Sequence, residues 1–314
     1  MHMRSSARWG ALFARPTGVA LLGTAVLTGC GTPDSPPTPV YSPHDSALVA
    51  GAYGNPLDPV VYPDEVQQGA IAAAGEGLVT QCMADRGFDY TQHQVFIQYQ
   101  SPSEAQYVFG PTDPEAAAVN GMRSALWIAA VTGGGDAGGT APTEGYLAAL
   151  FGDTSAQEVR DGTGLVIASY DPTSCAGIAK DRVTPHWAEQ EYQLDIAYQI
   201  LLDAGEAAAS DPAVVEADAA WSRCMADRGF TYEGLQAAMS SPEFTQTDLP
   251  TAHEIEVAVA TAECQQSSGL LRARSLARAR YASERLAEHP GLVTEWLALQ
   301  QDALDAVGSS GAAG

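Results

Sequence analysis

Apolar residues recur at helical spacing in two stretches of the chain, which predicts two amphipathic helices. The apolar positions are Ile71, Ala74 and Leu78 in the first stretch and Val214, Ala217, Trp221 and Met225 in the second. An aspartate suited to capping a helix N-terminus precedes each stretch, Asp64 in the first and Asp211 in the second. Both predicted helices therefore have a defined start.

The same seven residues, Cys-Met-Ala-Asp-Arg-Gly-Phe, end both predicted helices. The copies occupy residues 82–88 and 224–230, and Tyr90 and Tyr232 follow two positions later. The glycine of each copy suits the position after a helix end, and the alternating aromatic residues predict a short strand. We therefore expect a mainly α fold with short β-hairpin elements (α+β), built from two duplicated helix–strand–helix units with one disulfide each.

The segments after the two motif copies differ. The first continues with predicted helices at residues 114–131 and 146–151, separated by a Gly-rich loop at 133–139, and with a hairpin at 157–170. Cys175 is expected to open a helix, and residues 187–209 form a long linking helix. In the second, Thr251 and Glu254 have the spacing of a capping box, which predicts a helix to residue 288. A final helix to about residue 307 follows Pro290-Gly291.

Residues 1–29 have the pattern of a bacterial lipoprotein signal peptide. Three arginines precede an apolar run over residues 17–29. The run is shorter than the roughly 18–20 residues of a membrane-spanning helix and has the length of a signal-peptide core. The sequence Leu-Thr-Gly before Cys30 closely resembles a lipobox, so Cys30 is predicted to carry acyl chains such as palmitate, which anchor stably when two or three are present. The alternatives are an ordinary signal peptide with an incidental cysteine, or a buried apolar helix.

Proline content marks the next boundary. Residues 30–63 contain the predicted lipidated cysteine and eight of the nineteen prolines, which predicts an extended tether. The tail of the tether, residues 60–62, is expected to dock on the body. Residues 64–186 then form the first repeat unit, and residues 187–314 contain the linking helix, the second repeat unit and the C-terminal helices.

The cysteine count agrees with an exported protein. The chain has five cysteines, and lipidation of Cys30 would leave Cys82, Cys175, Cys224 and Cys264. Four cysteines in an oxidising compartment predict two disulfides with three possible connectivities. We favour Cys82–Cys175 and Cys224–Cys264, because each bond then joins a repeat unit to its own following helix. A Cys82–Cys224 bond across a pseudo-symmetric interface is the alternative.

Charge limits the partners of the chain. Thirty-eight acidic residues outnumber fifteen basic ones, which argues against binding to nucleic acid or to anionic lipid headgroups. Several arginines are concentrated in the predicted helix at residues 251–288, where Arg274, Arg278 and Arg285 share one face. This arrangement predicts either pairing with the acidic body or a face that binds an anion, a wall polymer or a protein partner.

No catalytic or cofactor motif is present in the sequence. None of the histidines outside the signal peptide lies at metal-ligand spacing from another histidine or a cysteine, and neither motif copy contains Cys-x-x-Cys. We therefore expect no metal and no cofactor. Carboxylate pairs such as Glu254 with Glu256 occur, but they are common on the surface of such an acidic chain.

The motif copies and the elements around them resemble those of a group of exported actinobacterial lipoproteins. The resemblance rests on the duplicated Cys-Met-x-x-x-Gly-Phe-x-Tyr pattern, the hairpin before Cys175, the helix before Cys264 and the short element at residues 146–152. It covers roughly residues 64–300. The resemblance implies an extracytoplasmic, disulfide-bearing, mainly helical body and carries over no catalytic residues.

These features favour a membrane-anchored, non-catalytic module of the cell envelope that binds a ligand or partner. The occupant is expected to be a cell-wall polymer, a small ligand or a membrane protein, bound near the linking helix where duplicated units meet. The alternative is a cell-wall hydrolase or another extracytoplasmic enzyme, which would need clustered carboxylates or a histidine in a concave site.

Overall fold

A computed structural model describes residues 53–61, 64–90, 109–132, 143–152, 157–244 and 247–311. The predicted signal peptide, Cys30 and the predicted Gly-rich loop at 133–139 lie outside these ranges. The described residues belong to one compact unit within Pro37–Gly314. Nowhere in these ranges is a helix both long and apolar enough to cross a membrane.

The described chain is mainly helical and contains one two-stranded antiparallel sheet. The helices are α1 (Asp58–Val61), α2 (Glu65–Asp85), α3 (Pro114–Asn120), α4 (Ala125–Thr132), α5 (Glu144–Phe151), α6 (Cys175–Val183), α7 (Trp187–Ala209), α8 (Pro212–Asp227), α9 (Leu235–Met239), α10 (Ala252–Ser268), α11 (Leu270–Leu286) and α12 (Leu292–Gly311). The strands are β1 (Gln157–Arg160) and β2 (Val166–Tyr170). A short 3-10 helix covers Pro242–Phe244.

The hairpin and the linking helix confirm the sequence predictions. Strand β1 pairs with β2 so that Gln157 lies opposite Tyr170. The turn between them is closed by the side chain of Asp161, which accepts hydrogen bonds from the backbone N–H groups of Thr163 and Leu165, both at 2.8 Å. Helix α7 has the predicted limits, and Cys175 is the first residue of α6.

The two motif copies form nearly identical helix ends. Gly87 and Gly229 have φ angles of 84° and 89°, which glycine adopts without a steric penalty. The N–H of the following phenylalanine reaches back to a methionine carbonyl in both copies, at 2.9 Å in the first and 3.0 Å in the second. Both methionines are fully buried. The repeated sequence therefore encodes a Schellman-type helix stop with a buried methionine anchor.

The strands expected after the motif copies are absent, since residues 88–90 and 230–234 are not strand. Instead, the Tyr90 hydroxyl donates to Glu76 at 2.7 Å and the Tyr232 hydroxyl donates to Glu243 at 2.9 Å. Each tyrosine is thus held by a carboxylate from a neighbouring helical segment rather than by a partner strand. The helix–strand–helix description is wrong for these residues, while the mainly helical class with one hairpin is confirmed.

Two of the predicted helices are interrupted at glycines. The helix expected at residues 114–131 divides into α3 and α4 at Gly121, whose φ is 64°. A side chain at Gly121 would collide with Pro250, because a Cβ there would lie 2.6 Å from the Pro250 Cβ. The helix expected at 251–288 divides into α10 and α11 at Gly269, which has a left-handed conformation.

Three buried clusters form most of the core. One surrounds Trp221 and joins α8, α10 and α11. A second surrounds Trp296 and joins α1, α7, α11 and α12. A third surrounds the Cys82–Cys175 disulfide. Residues Leu57, Val60 and Val61, which the sequence assigned to the tether, are buried in the second cluster. The predicted docking of the tether tail is therefore found at residues 60 and 61 and begins before residue 60, while residue 62 lies outside the described residues.

Candidate functional site

A cleft of about 250 Å³ opens beside the linking helix α7. Three separate parts of the chain form it: the turn of the hairpin, the middle of α7 and the C-terminal end of α11. Its lining residues are Asp161, Gly162, Asp195, Ile196, Gln199, Ile200, Asp203, Arg285, Glu288 and His289. The cleft therefore lies at the linking helix, where the sequence places the junction of the two predicted units.

Carboxylates dominate the polar lining of the cleft. Asp161, Asp195, Asp203 and Glu288 contribute four, and Arg285 is the cation among the lining residues. Arg285 lies 3.4 Å from Glu288, so part of its charge is already balanced. Ile200, which is 4% exposed, and Ile196 also line the cleft and give it an apolar floor. The resulting negative potential attracts cations more than anions.

Asp161 is held ionised by its local surroundings. The Thr163 hydroxyl lowers the pKa of Asp161 below its ordinary value, and backbone N–H groups of the turn lower it further. The Thr163 hydroxyl donates to Asp161 at 2.7 Å. This carboxylate is therefore a fixed negative charge at one end of the cleft.

The three arginines predicted to form an anion-binding face lie in different surroundings. Arg274 and Arg278 are half-buried, whereas Arg285 is exposed and lines the cleft. Burial lowers the pKa of Arg274, and the nearby charge of Asp218 partly offsets this effect. The Arg278 guanidinium lies over the Phe109 ring at 5.8 Å. The three guanidinium groups consequently do not present a common exposed face.

The four body cysteines form two disulfides. Cys82 bonds to Cys175 and Cys224 bonds to Cys264, with Cα–Cα distances of 5.5 Å and 5.7 Å. This is the connectivity that the sequence favoured. The partner helices differ, because Cys175 is the first residue of α6 whereas Cys264 lies near the C-terminal end of α10. The bonds thus join similar helix ends to different parts of the body.

Sequence reasoning missed a buried ion pair between Arg123 and Glu254. Glu254 has no exposed surface, and the Arg123 side chain is 9% exposed. The Glu254 carboxylate contacts the Arg123 guanidinium and accepts the Met122 N–H at 3.1 Å. Thr251 does cap α10 through the Glu254 N–H, as the capping box predicts. The Glu254 side chain, however, does not complete the capping box but pairs with Arg123.

A second missed carboxyl group is Asp58 in α1, which is 8% exposed. Burial raises the pKa of Asp58 to about 7, and the positive charge of Arg278 acts in the opposite direction. The sequence signal was an aspartate between the apolar residues Leu57 and Val60, but a proline-rich setting obscured it. Asp58 lies in the docked tail of the tether.

The described residues contain no group of three or more histidine, cysteine or acidic side chains that could hold a metal ion. No protein-family model, curated protein or solved structure matches the chain.

Proposed function

We propose that the chain is an exported lipoprotein, anchored through acylated Cys30, that binds a ligand or partner at the outer face of the cell membrane without catalysing a reaction. The observation that carries this proposal is the cleft beside α7, which combines charged walls with an apolar floor. Concave sites of this kind are common at junctions between structural units. Two disulfides support an oxidising, extracytoplasmic location.

The matching helix ends support a further part of the proposal, the duplication of residues 64–186 and 187–314. Both copies share an aspartate N-cap, a buried methionine and a disulfide in the last turns of the helix. The partner of each disulfide lies at a different position in its helix, so the two units would have diverged after duplication. The cleft takes Asp161 and Gly162 from the first of these segments and its other lining residues from the second.

The negative charge of the cleft favours some of the possible ligands over others. With four carboxylates and one arginine in its lining, the cleft favours a ligand that carries amines or guanidinium groups. An amine-bearing wall peptide or a basic segment of a membrane protein fits this requirement. An anionic wall polymer fits it less well, because its phosphates would approach Asp161, Asp195 and Asp203.

Spermidine, glycerol phosphate and an N-acetylglucosamine dimer provide cationic, anionic and neutral probes of the cleft. We expect spermidine alone to raise the melting temperature, since a ligand at 100 times its Kd stabilises the folded state by about 2.7 kcal/mol. Added salt should weaken the effect, because solvent-exposed charges are screened. Differential scanning fluorimetry measures the melting temperature in the presence of each of the three probes. Stabilisation by glycerol phosphate and not by spermidine would contradict the proposed ligand class.

The lipid anchor has its own test. Replacing Cys30 by alanine removes the thiol that would be acylated, so we expect the variant to move from the detergent phase to the aqueous phase on Triton X-114 partition. The wild-type chain should remain in the detergent phase. A wild-type chain found in the aqueous phase would exclude lipidation at this cysteine.

The clustered carboxylates also give the hydrolase alternative a specific basis. Acid/base hydrolysis needs one carboxyl group that stays protonated at neutral pH. Asp161 has the opposite property, because its pKa is lowered. Release of reducing ends from purified cell wall, abolished by Asp203→Asn, would replace the binding proposal with this alternative.

A further inference from the structure

The end of the tether inserts into the body as a short clip, defined as residues 53–61. Leu57 and Val60 have no exposed surface, and Val61 is 2% exposed. They pack in the cluster around Trp296 together with residues of α7, α11 and α12. The N–H groups of Val60 and Val61 both reach the Leu57 carbonyl, at 2.9 Å and 3.1 Å, which closes α1 into one compact turn.

Asp58, which is 8% exposed, places a buried carboxyl group between the apolar residues Leu57 and Val60 of this segment. Transfer of an ionised carboxylate from water into such surroundings is unfavourable unless a partner compensates for the lost hydration. The α1 segment packs against α7 and α12, and Arg278 on α11 is the cation that acts on Asp58. Arg274 lies one turn before Arg278.

Arg278 aside, two carboxylates on the helices around the clip have a defined place. Glu295 on α12 accepts a hydrogen bond from Gln193 at 3.1 Å. Asp195 on α7 lines the cleft. The balance at Asp58 is therefore set mainly by its burial and by Arg278.

We propose that residues 53–61 are a pH-responsive clip, which docks the tether on the body when Asp58 is neutral and releases it more readily when Asp58 is ionised. The direction follows from proton linkage. A carboxyl group whose pKa is higher in the docked state, about 7 against 3.8, binds its proton more tightly when docked. The docked state is therefore favoured most below pH 4, and this advantage is lost as the pH rises through 7.

The clip and the cleft share the linking helix. Ile200 and Ile196 line the cleft and also belong to the cluster that receives Leu57, Val60 and Val61. Release of the clip would lengthen the reach of the tether by residues 53–63, about 35 Å at full extension. The longer reach has an effect at the membrane only if the chain carries the proposed lipid anchor. The pH dependence of clip docking does not depend on that anchor.

Hydrogen–deuterium exchange of the full-length chain tests the clip. After correction for intrinsic exchange, we expect the protection of the Val60 and Val61 amides to fall on the order of 10²-fold from pH 5 to pH 8. Amides in α8 should keep their protection over the same range. The Asp58→Asn variant, which is neutral throughout, should show clip protection that does not change with pH.

Asp64→Asn is the matched control, because Asp64 is an exposed cap six residues away and asparagine also caps helices. This variant should retain the wild-type pH dependence of the clip. The proposal is overturned if wild-type clip protection is constant with pH, if Asp58→Asn retains the dependence, or if the clip and α8 lose protection in parallel. The wild-type series gives an answer even if Asp58→Asn fails to fold.

Discussion

Replacing Glu254 by alanine is expected to lower the free energy of unfolding by about 3–5 kcal/mol, the cost of removing one partner from a buried ion pair. The change would leave the Arg123 guanidinium without its carboxylate in a site where only 9% of its side chain is exposed. It would also remove the acceptor of the Met122 N–H. Urea denaturation of the disulfide-intact protein measures the loss.

The chain contains a matched control for this variant. Glu263 pairs with Arg228 on the surface, where the two side chains are 40% and 42% exposed. Exposed pairs contribute at most about 1 kcal/mol, so Glu263→Ala should have a small effect. Equal losses from Glu254→Ala and Glu263→Ala would show that burial of the Arg123–Glu254 pair has no special consequence for stability.

The second large effect is expected from Cys224→Ala. Loss of the Cys224–Cys264 bond should lower stability by about 2–5 kcal/mol, because the unfolded chain regains conformational freedom. Cys264 is fully buried, so its free thiol should react with a maleimide only after unfolding. Urea denaturation and thiol labelling followed by peptide mapping measure the two effects.

The stability loss on removing the Cys82–Cys175 disulfide can be compared with the loss on removing Cys224–Cys264. Cys82 and Cys175 are 93 residues apart, whereas Cys224 and Cys264 are 40 apart. The chain-entropy model predicts that Cys82→Ala costs more than Cys224→Ala by less than about 1 kcal/mol. A labelled thiol on Cys82 or Cys175 in the Cys224→Ala variant would contradict the pairing.

Local signals in the sequence predicted the parts of the fold that short-range chemistry determines. The glycine of each motif copy ends its helix, Asp211 caps α8, and the Asp-Gly-Thr-Gly segment turns the hairpin. The same reasoning failed at Gly121 and Gly269, because a glycine inside an apolar pattern either continues a helix or breaks it. At Gly121 the chain has a positive φ, and a side chain there would collide with Pro250, far along the chain.

Long-range pairing explains why the sequence only partly revealed the site. Glu254 fitted a capping box, yet its carboxylate pairs with Arg123, 131 residues earlier in the chain. The linking helix was predicted as the place for function, but the acidic residues beside it could not be told apart from the other carboxylates of the chain. Asp161 reaches the cleft through the hairpin turn, and Glu288 reaches it from beyond the end of α11. Only the folded chain brings them together.

A binding titration of cleft variants tests the central claim that the cleft beside α7 is the ligand site. The chain has a formal net charge of −23, so spermidine binding elsewhere on the surface must be distinguished from binding in the cleft. Asp195→Asn/Asp203→Asn removes two cleft carboxylates, whereas Glu206→Gln removes an exposed carboxylate of the same helix that does not line the cleft. Isothermal titration calorimetry should show at least tenfold weaker spermidine binding for the double variant and near wild-type binding for Glu206→Gln. Equal affinity of the double variant and the wild type would contradict the claim.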